Sequence, residues 1–378
     1  KDGSIVKAGD LAYLYNNIKN SWTVLEDSKS SAIWNDPQTP MARKDIFIIK
    51  NVSGNTLTLD RALNFSYGVE SIVGPHVGAT NITVSNLSIE NFVSLYSILF
   101  EQPRSVTISN VTINGGGGIL LSHMAYKCSI IGCNITTTKT RAILVENFSS
   151  GNTISNNTVN YTTGGDAAVM VLMSSYNNSI SGNKVIGHGN NSTDEAGIYV
   201  HALCFNNSVF NNEVNGTSDG IGVYYGAFNN KFYKNTIRNV KVGIMSFYSR
   251  DNEFYNNDIY VQSKRAGNPV GVLIFQGSGI NINNNIIKGR MAMGVQLQGS
   301  DGCKILSNTI EGISADQYSF GIKVLNNSNG NATKANVSRV AGSGAATSKA
   351  LSSQTRGAST NQIENNKISK VQTNIANQ

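Results

Sequence analysis

The stretch Asn152-Thr153-Ile154-Ser155-Asn156-Asn157-Thr158-Val159 places an apolar anchor, Ile154, five residues ahead of a β-branched partner, Val159. The same pair recurs with anchors at Val84, Ile108, Ile130, Ile154, Ile180, Val209, Phe232, Phe254, Ile282, Ile305 and Ile363, and every anchor has an Ile or Val five positions on. Successive anchors are 24, 22, 24, 26, 29, 23, 22, 28, 23 and 58 residues apart, a base period of 22 to 24 with insertions. A fixed period of this size is the mark of a solenoid. A second element follows the pair in coil after coil, a small-apolar-x-apolar tetrad such as Ala168-Val169-Met170-Val171, Gly197-Ile198-Tyr199-Val200 or Gly271-Val272-Leu273-Ile274. Period-two alternation in segments too short for helices predicts strands. Several short strands per period, stacked in parallel, make an all-β parallel β-helix.

Asparagine supports the same alignment. Asn157, Asn183, Asn212, Asn235, Asn257, Asn285 and Asn308 share one column, and Asn152, Asn178, Asn207, Asn230 and Asn252 share a second, two positions before the anchor. Stacked amides can hydrogen-bond along a parallel stack at roughly 4.8 Å spacing, and Asn tolerates the left-handed backbone of tight corners. These columns therefore read as ladders, and Asn-x-Ser/Thr matches such as Asn81 and Asn110 read as corners before glycosylation sites. Cys128 and Cys303 fall in the second column too far apart to bridge, and with Cys133 and Cys204 they are expected as free thiols, since no CxxC spacing suggests zinc.

The chain has 378 residues and a formal charge of +7, and only 14% of it is charged against the quarter typical of globular proteins. That excludes coiled coils, helical bundles and charged disorder. No apolar run reaches the roughly 18 residues that span a bilayer. Basic residues are scattered, so no nucleic-acid face is expected and no membrane partner is indicated. Residues 1–78 lack the period and are expected to form an entry segment capping the first coil, with a short helix over Asp10 to Asn17 and a hairpin around Ser53-Gly54-Asn55. Residues 79–325 form the β-helix, 326–360 a low-complexity excursion and 361–378 a terminal coil-like segment.

With Val52-Ser53-Gly54-Asn55-Thr56-Leu57-Thr58-Leu59, Ala62-Leu63 and Tyr67 preceding the coils, the chain resembles right-handed, pectate-lyase-like parallel β-helix proteins that act on polysaccharides, especially bacteriophage tailspike depolymerases. The resemblance covers about residues 46–325 and 361–370, with Ala62 standing where the family often has Pro. It implies a homotrimer, a bacterial surface polysaccharide as partner, and a place on the phage tail or outside the cell. The coil repeat itself is specific for fold and weak for function.

Insertions concentrate between the Ile/Val partner and the tetrad, at Asn160 to Ala167, Ile186 to Ala196, Tyr260 to Val270 and Glu311 to Phe320, and would wall a groove along one corner. Carboxylates collect there, with Asp166, Asp194, Glu195 and Asp219 on successive coils. Backbone separations of roughly 5 to 10 Å suit the paired carboxyl groups of glycoside hydrolysis, and hydrolysis by Asp166, Glu195 and Asp219 with Asp194 in reserve is the first expectation. Arg141 and Lys139 before the acids, and Lys241, Lys264, Arg265 and Arg290 after them, would meet an anionic polymer. For lyase chemistry a base and a charge-neutralising cation matter more, which brings forward His188, Tyr199, His201, Lys241 and Arg265, with Tyr224 beside them. A non-enzymatic adhesin or receptor-binding spike using the same groove is the third alternative. No metal and no cofactor is expected. The outward columns of the tetrad strand, Leu144, Met170, Leu172, Tyr199, Tyr224, Met245, Phe247, Leu273 and Phe275, form an apolar stripe on a face that ought to meet water. A subunit interface, a sugar-stacking floor and coverage by the chain's own termini compete to explain it.

Overall fold

The computed structural model describes residues 6–16, 43–54, 56–64, 72–137, 141–161, 166–187, 189, 196–262, 269–312, 320–325, 335–337, 349–351 and 361–369. Among the described residues there is no helix, and the chain winds as a parallel β-solenoid. The anchors form one eleven-stranded sheet running from Thr83–Ser85 to Gln362–Glu364. Its register pairs Val84 with Ile108 and continues through Ile130, Ile154, Ile180, Val209, Phe232, Phe254, Ile282 and Ile305 to Ile363, the row read from the sequence. The partners stack likewise from Ile89 to Ile368 in a second sheet. The tetrads stack in a third, and Ser88–Glu101 and Thr112–Ser122 each run through both as one long strand. Inward Ile, Val and Leu from all three sheets pack into one continuous core along the axis.

The corners between sheets are closed by the asparagines. Asn212 Oδ1 accepts from the Asn183 backbone N–H (3.0 Å) and from Asn183 Nδ2 (2.9 Å), while its own Nδ2 donates to Ile180 O (2.9 Å) and Asn235 Oδ1 (3.0 Å). The pattern repeats in both columns, and it extends at the C-terminal end to Asn361 and Asn366, which accept from the backbone amides of Cys303 and Asn308. At the other end the backbone amides of Cys128 and Cys133 donate to Asn152 and Asn157. All four cysteines are buried free thiols, and burial pushes those of Cys204 and Cys303 up to about 12.

The N-terminal part departs from expectation in one element. Asp10 to Asn17, read as a helix, holds the strand β1 (Leu11–Asn16), which joins β2 (Arg43–Ser53), β3 (Thr56–Leu59) and β4 (Ile72–Pro75) in an antiparallel sheet of order β3-β2-β1-β4. Its two faces are both apolar: Leu11 and Ile46 pack on Met124 and Tyr126, whereas Ala12, Phe47 and Ile49 pack against Leu57, Leu59 and Leu63. A period-two run with both faces covered leaves no helical stripe. The described part of this sheet docks on a corner of the solenoid. The Tyr176 hydroxyl accepts from Ile46 N (3.2 Å) and Arg61 Nη2 (3.1 Å), and Arg61 pairs with the fully buried Asp45 at 2.8 Å. Ile82, Leu87, Leu95 and Leu99 of the first coil remain 37–58% exposed. The β2–β3 hairpin itself forms where the sequence placed it.

Asn212→Ala leaves the buried Asn183 N–H without its acceptor and deletes three further hydrogen bonds. A stranded buried donor costs about 1–3 kcal/mol, so the denaturation midpoint should fall clearly. Asn134→Ala, on an exposed strand position, should leave the midpoint near wild type. Equal midpoints for the two variants would refute a structural ladder.

Candidate functional site

Most of the described candidate residues lie on the outward face of the third sheet. Arg141, Ala167, Ala196, Asp219 and Val242 stand in one row across five coils. Asp166 directly precedes Ala167, so it and Asp219 lie two coils and one step along the strand apart. Asp166 Oδ2 accepts from Arg141 Nε at 3.0 Å and from Nη2 at 2.5 Å, an ion pair about one-third exposed at each side chain. The first carboxylate of the expected row is thus committed to a cation on the preceding coil.

Asp219 is the buried acid, 7% exposed at the start of the strand Asp219–Tyr224. The Tyr224 hydroxyl donates to Asp219 Oδ2 (3.1 Å) and receives the Tyr199 hydroxyl at 3.4 Å. Gly222 makes this meeting possible. A Cβ there would stand 2.2 Å from the Tyr199 ring and 2.3 Å from the Tyr224 ring, so the two phenols lean together over the one position without a side chain. Burial first, then the negative charge of Asp219, raises the Tyr224 pKa, which keeps this phenol protonated as a donor.

His201 closes the group. It pairs in register with Tyr224, its ring centroid lies 5.7 Å from that of Tyr224, and Tyr225 meets it edge-on at 5.1 Å. Desolvation among these rings lowers its pKa from 6.5 to about 4; Asp166 opposes the shift and Arg141 adds to it. The imidazole is neutral at pH 7 and able to accept a proton. Lys241, half-buried, precedes the next strand, with its backbone N–H donating to Ser218 O at 2.8 Å. Arg290 is exposed at the end of a second-sheet strand. Asp194, Glu195, His188, Arg265, Lys139 and Lys264 lie outside the described residues. The structure therefore brings Arg141, Asp166, Tyr199, His201, Asp219, Tyr224 and Lys241 to one face. It adds Tyr96, which interacts electrostatically with Arg141, and Tyr225, whose place in Gly222-Val223-Tyr224-Tyr225-Gly226 was the available signal.

The apolar stripe needs correction. Its first half does not meet water: Leu144, Met170, Leu172 and Tyr199 are 1–7% exposed, packed with Leu120, Ala167, Ala196 and Ala202 inside the chain's own fold. From Tyr224 onward, Met245, Phe247, Leu273 and Phe275 are half-buried. Large side chains at roughly 4.8 Å spacing shield one another's flanks, which alternation along a strand cannot reveal.

The His201 shift fixes a pH dependence. The neutral form is favoured on folding, so between about 4 and 6.5 the unfolded chain holds more protons. Its contribution to stability is complete above pH 6.5 and is lost as pH falls toward 4. His201→Asn should flatten the fall in denaturation midpoint over that window; superimposable profiles would show that His201 titrates normally.

Two solved structures show how far the likeness reaches. The A-module of mannuronan C-5 epimerase AlgE6 from Azotobacter vinelandii is 16% identical with a TM-score of 0.46, over 59% of this chain and 63% of that one. The tailspike protein gp49 from Pseudomonas phage LKA1 is 13% identical with a TM-score of 0.51, over 85% of this chain and 58% of that one. The chain thus matches less than two thirds of the length of either, and at these identities the likeness is one of fold. No curated protein sequence matches it. The family described as right handed beta helix region matches residues 63–214, 204–338 and 263–376, and the chain belongs to that family.

Proposed function

We propose that this protein binds a polysaccharide along the outward face of the third sheet and breaks it by proton abstraction next to a uronate carboxylate. The observation that carries the reading is geometric: the His201 imidazole lies 5.7 Å, centroid to centroid, from the Tyr224 ring, on the same outward face as the Arg141 cation. In this reading His201 accepts the proton on the carbon bearing the carboxylate. The electron pair left behind forms the new C=C bond as the adjacent glycosidic C–O bond breaks. Tyr224 gives its proton to the departing oxygen and regains one from solvent, to which His201 releases the proton it took, and Arg141 or Lys241 balances the substrate carboxylate. Positioned acid and base groups are typically worth 10²–10⁴-fold each.

Hydrolysis is the second reading, and the buried Asp219 on the row that begins with Asp166 is the observation that favours it. It asks Asp166, Glu195, Asp219 or Asp194 to supply a carboxyl pair. Asp166 is engaged by Arg141 and Asp219 by Tyr224, which is why elimination ranks ahead. Both readings carry the depolymerase role that the tailspike resemblance implies, with the chain on a phage tail or outside the cell.

One assay separates the readings: new reducing ends and ultraviolet absorbance of unsaturated product, followed together on soluble polyuronates and bacterial capsular polymers. Elimination gives both signals, and His201→Asn or Tyr224→Phe lowers them by about two orders of magnitude or more. Reducing ends alone, lost in Asp166→Asn or Asp219→Asn, would replace elimination by hydrolysis. Retained polymer binding with neither signal would leave an adhesin. Assembly is tested separately: the trimer this reading includes should sediment as such at micromolar concentration, and a well-behaved monomer would remove it.

A further inference from the structure

Beyond the acid-base group, the outward face turns aromatic in a way that the fold does not require. Ala202, Tyr225, Tyr248, Gln276 and Gly299 directly follow His201, Tyr224, Phe247, Phe275 and Gln298, which stand in one register row. All five corner residues have positive φ, from 48° to 59°. For a side-chain-bearing residue this backbone brings Cβ against the following carbonyl, and Gly or Asn relieves the strain. Gly299 fills the column that way, and Asn occupies many other corners of this solenoid. Two consecutive coils instead spend tyrosine on it.

Their rings do not fold into the core. Tyr225 and Tyr248 are half-buried and run parallel, 6.3 Å apart at 11°. They interleave edge-on with Phe247 and Phe275: Tyr225 meets Phe247 at 5.6 Å and 81°, and Tyr248 meets Phe275 at 5.6 Å and 76°. The result is a partly exposed aromatic wall, apolar in body and hydroxyl-tipped, that starts at His201 and runs away from Asp166. Such rings combine large contact area with few rotatable bonds, and they suit ligands that are apolar on one side and wet on the other. A pyranose ring has that character, with C–H groups on one face and hydroxyls around its edge.

We infer that Tyr225 and Tyr248 form a sugar-stacking wall that positions the polysaccharide beside His201 and Tyr224. The inference rests on the polysaccharide reading of this site and adds residues that hold the polymer without moving a proton.

Affinity electrophoresis through gels containing alginate or polygalacturonate, with the full chain, tests it. Wild type should be retarded, Tyr225→Phe should be retarded equally, and Tyr225→Gly should bind at least about tenfold more weakly with an unchanged denaturation midpoint. On a cleaved polymer, Tyr248→Asn, one coil further from His201, should raise KM with kcat kept. Should Tyr225→Gly fail to fold, Tyr248→Asn, which suits the same backbone, decides by the same readouts. Wild-type mobility that ignores both polymers, or variants retarded as strongly as wild type, would overturn the wall. Failure of the elimination chemistry looks different: retardation that depends on Tyr225 but no unsaturated product, which leaves the wall standing.

Discussion

Every coil of this solenoid must turn a corner against its own core, where backbone amides have no strand to pair with. A buried amide without a partner is among the costlier defects a fold can carry. The asparagine ladders meet that constraint at the two corners that flank the anchor strand, in the coils that carry them. Within the runs a carboxamide accepts from the backbone and the side chain of the preceding coil, and it donates to a carbonyl and to the next amide, as Asn207 does between Asn178, Ser175 and Asn230. The ladder therefore fixes the register of all three sheets at once. A slip of one residue would strand every amide in the column, so a sequence of unequal loop lengths still stacks into one axis.

The same coupling explains what could be read from the residues. Anchors, partners and ladder amides face an invariant interior, so each leaves a column in the sequence, and all eleven anchor rows and all eleven partner rows recur in the structure. Asn361 and Asn366 belong to the ladder across a 58-residue jump, at the same offsets from Ile363 as Asn152 and Asn157 from Ile154. The run from Leu11 to Asn16 was ambiguous, since Asp10 ahead of Leu11 and Leu14 fits a capped helix as well as a strand. Pairing of Leu11 with Ile48 and Tyr13 with Ile46 decided it, and a partner 37 or 33 residues away is invisible to local pattern.

Outward positions were legible as a face and not as an environment. Alternation correctly set Met170, Tyr199 and Tyr224 on the outside of the third sheet, yet it could not tell that the first two are buried by their neighbours and the third is not. The acid row was visible as residue types on successive coils. That Asp166 spends its charge on Arg141, and Asp219 its lone pairs on Tyr224, depends on side-chain directions across coils. Glu195 and Asp194 sit in an insertion outside the described residues.

Because the interior is satisfied without them, the outward residues of the third sheet are free to be chosen for chemistry. Gly222 shows the freedom used: the inward neighbours Ile221 and Val223 keep the core intact, while the missing Cβ between them lets two phenols meet, one of which donates to Asp219. His201 shows its consequence. Its imidazole loses solvent to a cluster of aromatic rings instead of to the core, so its basicity is set by side chains that can change without disturbing a single ladder contact. Stability is stored in the ladder and the core, and the alternation of the strand leaves the opposite face, one residue away, open to change without cost to either.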